Sequence, residues 1–151
     1  MRMLYSSAIT ALETYLSDAF YQTVIKDQSL IERLMLTTPE FTEKKYSLSE
    51  VVEWKKQTKE KVSDYLFNIV WHNLAKVRCM YRDVLQVNFP DDSSTVYVAV
   101  VIRHDIVHRS GRTKNGKTHN LRESDVENLF ETLQTFVAAI DLQLKSRGAM
   151  K

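Results

Sequence analysis

A chain of 151 residues, 44% apolar and 26% charged, can bury a core as one domain without disulfides, and it is too apolar to be a disordered segment. Three glycines and two prolines are too few for a turn-rich β fold, and the single cysteine, Cys79, excludes both an intrachain disulfide and a cysteine-based zinc site. The net charge of +2 is small, but its distribution is uneven: between Arg103 and Arg122 six Lys/Arg stand against one acid, Asp105, and three of the four histidines (His104, His108 and His119) fall in the same window. A basic segment on a mildly acidic body fits a phosphate-bearing partner, and equally a solvated loop.

In chain order, the spacing of Ala8, Leu12, Tyr15, Leu16, Ala19, Phe20 and Val24 predicts a helix from Leu4 to about Lys26, with Glu13, Ser17 and Gln22 on its polar side. A shorter helix is expected over Gln28–Thr37, with Leu30, Ile31, Leu34 and Met35 inward, stopped before Pro39. Glu40 to Tyr46 reads as a polar connection. Ser47-Leu48-Ser49-Glu50 then fits a capping box, opening a long helical stretch to about Val87 with an unplaced break between Lys55 and Lys61. Its second half carries a stripe of Val62, Leu66, Ile69, Leu74, Val77, Met80, Tyr81 and Val84, so Tyr81, with Tyr65 and Trp71, reads as core rather than as a base-stacking platform. His72 reads as a core or interface histidine.

Asn88 to Ser94 is a turn, with Asp92 or Ser93 placed to cap the next element. Val96 to Ile102 is a strand by propensity, and at seven residues it is the longest apolar run, far too short to span a bilayer. Gly111, with His108 and Arg109 before it, sits where a helix C-terminus would end, which favours helix. Arg112 to Arg122 is a loop turning at Asn115-Gly116, and Ser124-Asp125-Val126-Glu127 reads as a second capping box. A last helix to about Ser146 has its stripe at Val126, Leu129, Phe130, Leu133, Phe136, Val137, Ile140 and Leu144. The sum is a single all-α domain, residues 1–151, built as a bundle of about five helices.

Gly111-Arg-Thr-Lys-Asn-Gly116-Lys117-Thr118 matches the spacing of a phosphate-binding loop, and Phe136 to Asp141 imitates its magnesium-binding strand. The context is wrong. Arg103 to Ser110 is too charged to end a central strand, no helix follows Thr118 directly, and too little chain remains for a parallel sheet.

The pair Arg103 and His108 suits phosphoryl chemistry without a metal. A histidine moves a proton at neutral pH, an arginine forks onto phosphate oxygens, and RNA brings its own nucleophile in the 2′-hydroxyl. A spacing of five sets the two about 140° apart on one helix, so one helix does not place them side by side. His104 and His108 do share a face, and Asp105 can pair with Arg109. Arg-x-x-x-x-His alone is a pattern that arises by chance, and His104 with His108 would bind a metal only with a third ligand.

Arg103-His-Asp-Ile-Val-His108-Arg-Ser-Gly111 resembles the signature of HEPN domains (higher eukaryotes and prokaryotes nucleotide-binding): an arginine, a polar residue, a short run and a histidine. The longer run through Gly111-Arg112 and Gly116-Lys117 to Ser124-Asp125-Val126, with Ala11-Leu12-Glu13-x-Tyr15-Leu16-x-Asp18, resembles the RiboL-PSP-type HEPN group. The resemblance implies an all-α up-and-down bundle, with Val96 to Ile102 helical. It implies a metal-independent endoribonuclease without cofactor, acting as a homodimer whose two motifs share one cleft. Carried over by position, Arg103 and His108 would be catalytic and His104 the variable polar residue that assists. Asp105, Arg109, Arg112, Lys114 and Lys117 would meet the RNA substrate. Expected partners are RNA, a second copy, and an antitoxin or other anti-phage defence protein; no membrane is involved, and the expected location is the cytoplasm. In one subgroup a partner enzyme modifies a tyrosine two residues after the histidine; here that position is Ser110. The alternatives are a non-catalytic HEPN module that binds RNA, nucleotide or protein, and a purely structural helical adaptor.

Overall fold

The structure is a computed structural model, and it describes residues 1–149. The fold is all-α. Among the described residues there are eight α-helices and one π-helical turn rather than about five helices. They are α1 (Arg2–Ile25), α2 (Gln28–Thr37), α3 (Pro39–Thr42), α4 (Leu48–Lys56), α5 (Thr58–Phe67), α6 (Leu74–Met80), the π turn Tyr81–Leu85, α7 (Ser94–His108) and α8 (Glu123–Ala149). No described helix is long and apolar enough to cross a membrane. The chain forms two compact units, one of residues 1–15 with 88–149 and one of residues 16–87, so α1 contributes to both.

In the unit of residues 16–87, Leu16, Phe20 and Val24 of α1, Leu30, Ile31 and Leu34 of α2, and Val62 and Leu66 of α5 are buried. The expected stripe from Val62 to Val84 is buried throughout, although the helix that carries it is broken twice. The first break falls at Gln57, inside the Lys55–Lys61 window, and the Gln57 N–H is capped by the Glu53 and Trp54 carbonyls. The second, Asn68 to Asn73, went unforeseen; Asn73 caps α6 by accepting from the Lys76 N–H at 3.3 Å. Ile69 lies inside this interruption and is itself buried, so the apolar stripe does not betray it. Ser47 and Glu50 form the expected capping box. Pro39 ends α2 and also opens α3, where its missing N–H costs nothing. His72 is exposed, not core. Tyr81 is fully buried, meets Phe20 at 5.3 Å between ring centroids, and donates its hydroxyl to the Leu16 carbonyl at 2.7 Å.

In the unit of residues 1–15 and 88–149, Val96 to Ile102 is helical, as Gly111 favoured and β propensity did not. Its valines divide by face: Val96 is buried with Ala99, whereas Val98 and Val101 are exposed. Tyr5, Ala8, Ile9 and Leu12 of α1, and Val126, Leu129, Leu133, Phe136 and Ile140 of α8, are buried in the same unit. Phe130, placed in the α8 stripe by spacing, is 46% exposed. Gln143 closes the turn before α7 by bonding both the N–H and the carbonyl of Asn88, at 2.9 and 2.8 Å. The second expected capping box does not form. The helix begins two residues earlier, at Glu123, and Asp125 accepts from the Arg122 N–H at 2.8 Å, leaving Ser124 inside the helix.

Tyr81→Phe removes one buried donor and leaves the ring packing intact. We expect a loss of about 1–2 kcal/mol in urea unfolding at pH 7, with an unchanged denaturant slope; no loss would mean that the Leu16 carbonyl gains nothing from the phenol.

Candidate functional site

The site is built at the end of α7. The helix stops at His108, with the Arg109 N–H on the Asp105 carbonyl at 2.9 Å. Ser110 (φ +52°) and Gly111 (φ +77°) both enter the left-handed region and reverse the chain, and the Gly111 N–H returns to the same Asp105 carbonyl at 2.9 Å. Arg112 and Thr118 then pair across a small hairpin that turns at Asn115-Gly116, with Gly116 at φ +77°. The Thr113 N–H donates to the Lys117 carbonyl at 2.7 Å, and the Gly116 N–H to the Thr113 carbonyl at 2.9 Å. These bonds dispose of the phosphate-loop resemblance. The N–H groups of Gly111, Arg112, Thr113, Gly116 and Lys117, five of those in the matching run, are already engaged, and Phe136 to Asp141 is helical.

Two side chains latch the hairpin. Arg2, at the start of α1, donates to the Ser110 carbonyl at 3.0 Å and the His119 carbonyl at 3.3 Å. Its guanidinium lies so close to Gly111 that a β-carbon there would be 2.7 Å from it. From the other side Asp105, only 4% exposed, reaches Nε2 of His119 at 2.9 Å with one oxygen and pairs with Arg109 through the other. A buried carboxylate requires such partners, since an unpaired one would be strongly destabilising.

The expected site residues therefore separate into three groups. His104 and His108 share a face of α7, with ring centroids 4.5 Å apart; His108 is exposed and His104 partly so. Arg103, five residues from His108, is held elsewhere. It lies 3.7 Å from Glu13 of α1, the two side chains being 17% and 14% exposed, and both Nε of Arg103 and Oε1 of Glu13 are buried without a hydrogen-bond partner. Glu13 was expected on the solvent side of its helix. Asp105 was expected to meet substrate; burial and two bonded oxygens give it an internal, positioning role instead, and Arg109 is drawn into that cluster with it. Arg112, Lys114 and Lys117 are exposed on the hairpin, where they can meet a polyanion.

Three participants were not legible in the sequence: Arg2, Glu13 and the pairing of His119 with Asp105. Only His119 left a signal, as the third histidine of the basic window. Among the described residues no cluster of three His, Cys, Asp or Glu side chains is placed to hold a metal ion, and the His104–His108 pair has no third ligand.

The Asp105 carboxyl is held below the ordinary carboxylate range, first by the hydrogen bond from His119 and then by that from Arg109. A depressed carboxyl contributes stability that is complete above the ordinary Asp value and is lost as pH falls through the depressed one. We expect wild type to exceed Asp105→Asn in urea resistance at pH 7. That gap should narrow as pH drops below about 4, and a gap constant from pH 7 to pH 3 would show that the latch is not electrostatic.

No protein-family model, curated protein or solved structure matches this chain.

Proposed function

We propose that this chain is a metal-independent endoribonuclease of the HEPN type, in which two copies bring their α7 ends together in one cleft. The observation that carries the reading is the exposed His108 beside His104, on a helix end flanked by the basic hairpin. An exposed imidazole can exchange a proton with the 2′-hydroxyl or the leaving oxygen of RNA. Arg112, Lys114 and Lys117 steer the backbone towards it. Arg103 keeps its charge, and the terminal nitrogens of its guanidinium, held only at 3.7 Å from Glu13, can fork onto phosphate oxygens in its place. The angular separation of Arg103 from His108 on α7 is what calls for a second copy: each cleft then takes both residue types from facing motifs. Neighbouring defence or antitoxin proteins, and a cytoplasmic setting, are the context in which such an enzyme is kept in check.

One observation favours the runner-up, a non-catalytic HEPN module that binds RNA. Arg103 is engaged with Glu13, which lowers its availability for a transition state. RNA binding that weakens with salt, without cleavage products, would support that reading.

The test is cleavage of labelled single-stranded RNA in EDTA by wild type, Arg103→Ala and His108→Ala, with the oligomeric state read by light scattering. Wild type should be dimeric and give 2′,3′-cyclic phosphate ends, and each variant should lose about 100-fold or more. Equal activity in all three, or a wild type that is monomeric at working concentration and still active, would overturn the assignment.

A further inference from the structure

We infer that His119, oriented by Asp105, is a substrate-facing base of the same site, a role that rests on the ribonuclease reading above. Its Nε2 lies 2.9 Å from Asp105 Oδ2. The carboxylate is ionised and can only accept, so Nε2 carries the proton. That leaves Nδ1 with the lone pair in the neutral ring, and no described residue bonds to Nδ1. The His119 side chain is 20% exposed, and the residue lines two clefts. One, of about 350 Å³, is shared with Tyr5, Val98, Ile102 and Asn128; the other, of about 560 Å³, is shared with Arg2 and Arg122.

This is the arrangement that makes an imidazole a base rather than a strut. A buried carboxylate fixes the tautomer and the ring orientation, and it stabilises the imidazolium once a proton arrives. Arg109 on the second oxygen of Asp105 keeps that carboxylate from taking the proton itself. The groups facing His119 are Asp105 and Arg109 of α7, Arg2 and Tyr5 of α1, and Arg122 and Asp125 around the start of α8. Arg122 has no side-chain partner among the described residues, which leaves it available to a phosphate at the mouth of the second cleft.

In the step assigned, Nδ1 of His119 takes the proton of the ribose 2′-hydroxyl as that oxygen bonds to phosphorus. The bond from phosphorus to the 5′-oxygen breaks, and that oxygen takes a proton from the His108 imidazolium. The products are a 2′,3′-cyclic phosphate and a free 5′-hydroxyl, and water returns the two imidazoles to their starting forms. Metal-free cleavage needs a base and an acid, and the two histidine positions provide one of each: His119 fixed by a carboxylate, His108 exposed at the helix end.

His119→Gln separates this role from a structural one. The glutamine amide can keep the donor bond to Asp105, and with it the hairpin, but it cannot take a proton. The expected result is a variant with wild-type circular dichroism and RNA affinity within about threefold, a single-turnover cleavage rate down about 100-fold or more, and loss of the limb on which rate rises with pH. His119→Ala tests the strut alone and should lower stability as well. A His119→Gln rate within about threefold of wild type, with the rising limb intact, would overturn the inference while leaving His108 and the ribonuclease reading standing. If wild type cleaves no RNA, that reading falls first. The inference then stands or falls on the His119 ring resonances in nuclear magnetic resonance, titrated with a 2′-deoxy dinucleotide: no shift overturns it, whereas a saturable shift that persists in His108→Ala keeps Nδ1 as a ligand-facing atom.

Discussion

A carboxylate taken out of water must be met by donors, and Asp105 meets that requirement in a way that organises everything around the end of α7. One oxygen takes Arg109 from the next turn of the same helix; the other takes His119 from the far end of the hairpin, fourteen residues on. The backbone carbonyl of the same residue receives the N–H groups of Arg109 and Gly111, which end the helix and turn the chain. One residue therefore terminates α7, starts the hairpin and fastens its return. Arg2 completes the closure by holding the Ser110 and His119 carbonyls. Without these bonds the basic hairpin would be a solvated loop, and its three exposed cations would have no defined position relative to the histidines.

The same demand for partners explains how charge is distributed at the site. The interior holds the residues that need them, Asp105 with Arg109 and His119, and Arg103 with Glu13. The exterior holds those that are left free to meet a polyanion: His108, Arg112, Lys114 and Lys117. The Arg103–Glu13 pair is the less complete of the two internal clusters. Its separation of 3.7 Å and its two unbonded buried atoms describe an arginine held near its acid rather than locked to it.

Much of the fold could be read from residue spacing, and the exceptions have local causes. The α1, α2 and α8 patterns predict their helices closely, because three-four spacing over several turns has no rival reading. The stripe from Val62 to Val84 predicted burial correctly while concealing the break at Asn68 to Asn73, since Ile69 is buried inside the break as it would be on a continuous helix. Phe130 shows the converse failure: it has the right spacing, but it falls at the edge of the α8 stripe and is exposed. Val96 to Ile102 was ambiguous because β-branched residues fit strands by propensity, and the reversal at Ser110 and Gly111 belongs to a helix end.

By itself the sequence determined an all-α chain and a basic window holding three histidines, because apolar period and charge are properties of neighbours along the chain. It also discredited the phosphate-loop resemblance, since the surrounding elements were of the wrong kind. The roles within the window were decided only by the tertiary structure. Asp105 looked like a substrate contact and is a buried latch; Glu13 looked solvated and holds Arg103; His119 looked incidental and is the one histidine fixed by a carboxylate. Each of those roles depends on a partner distant in sequence, and no local spacing encodes which distant donor a buried acid will find.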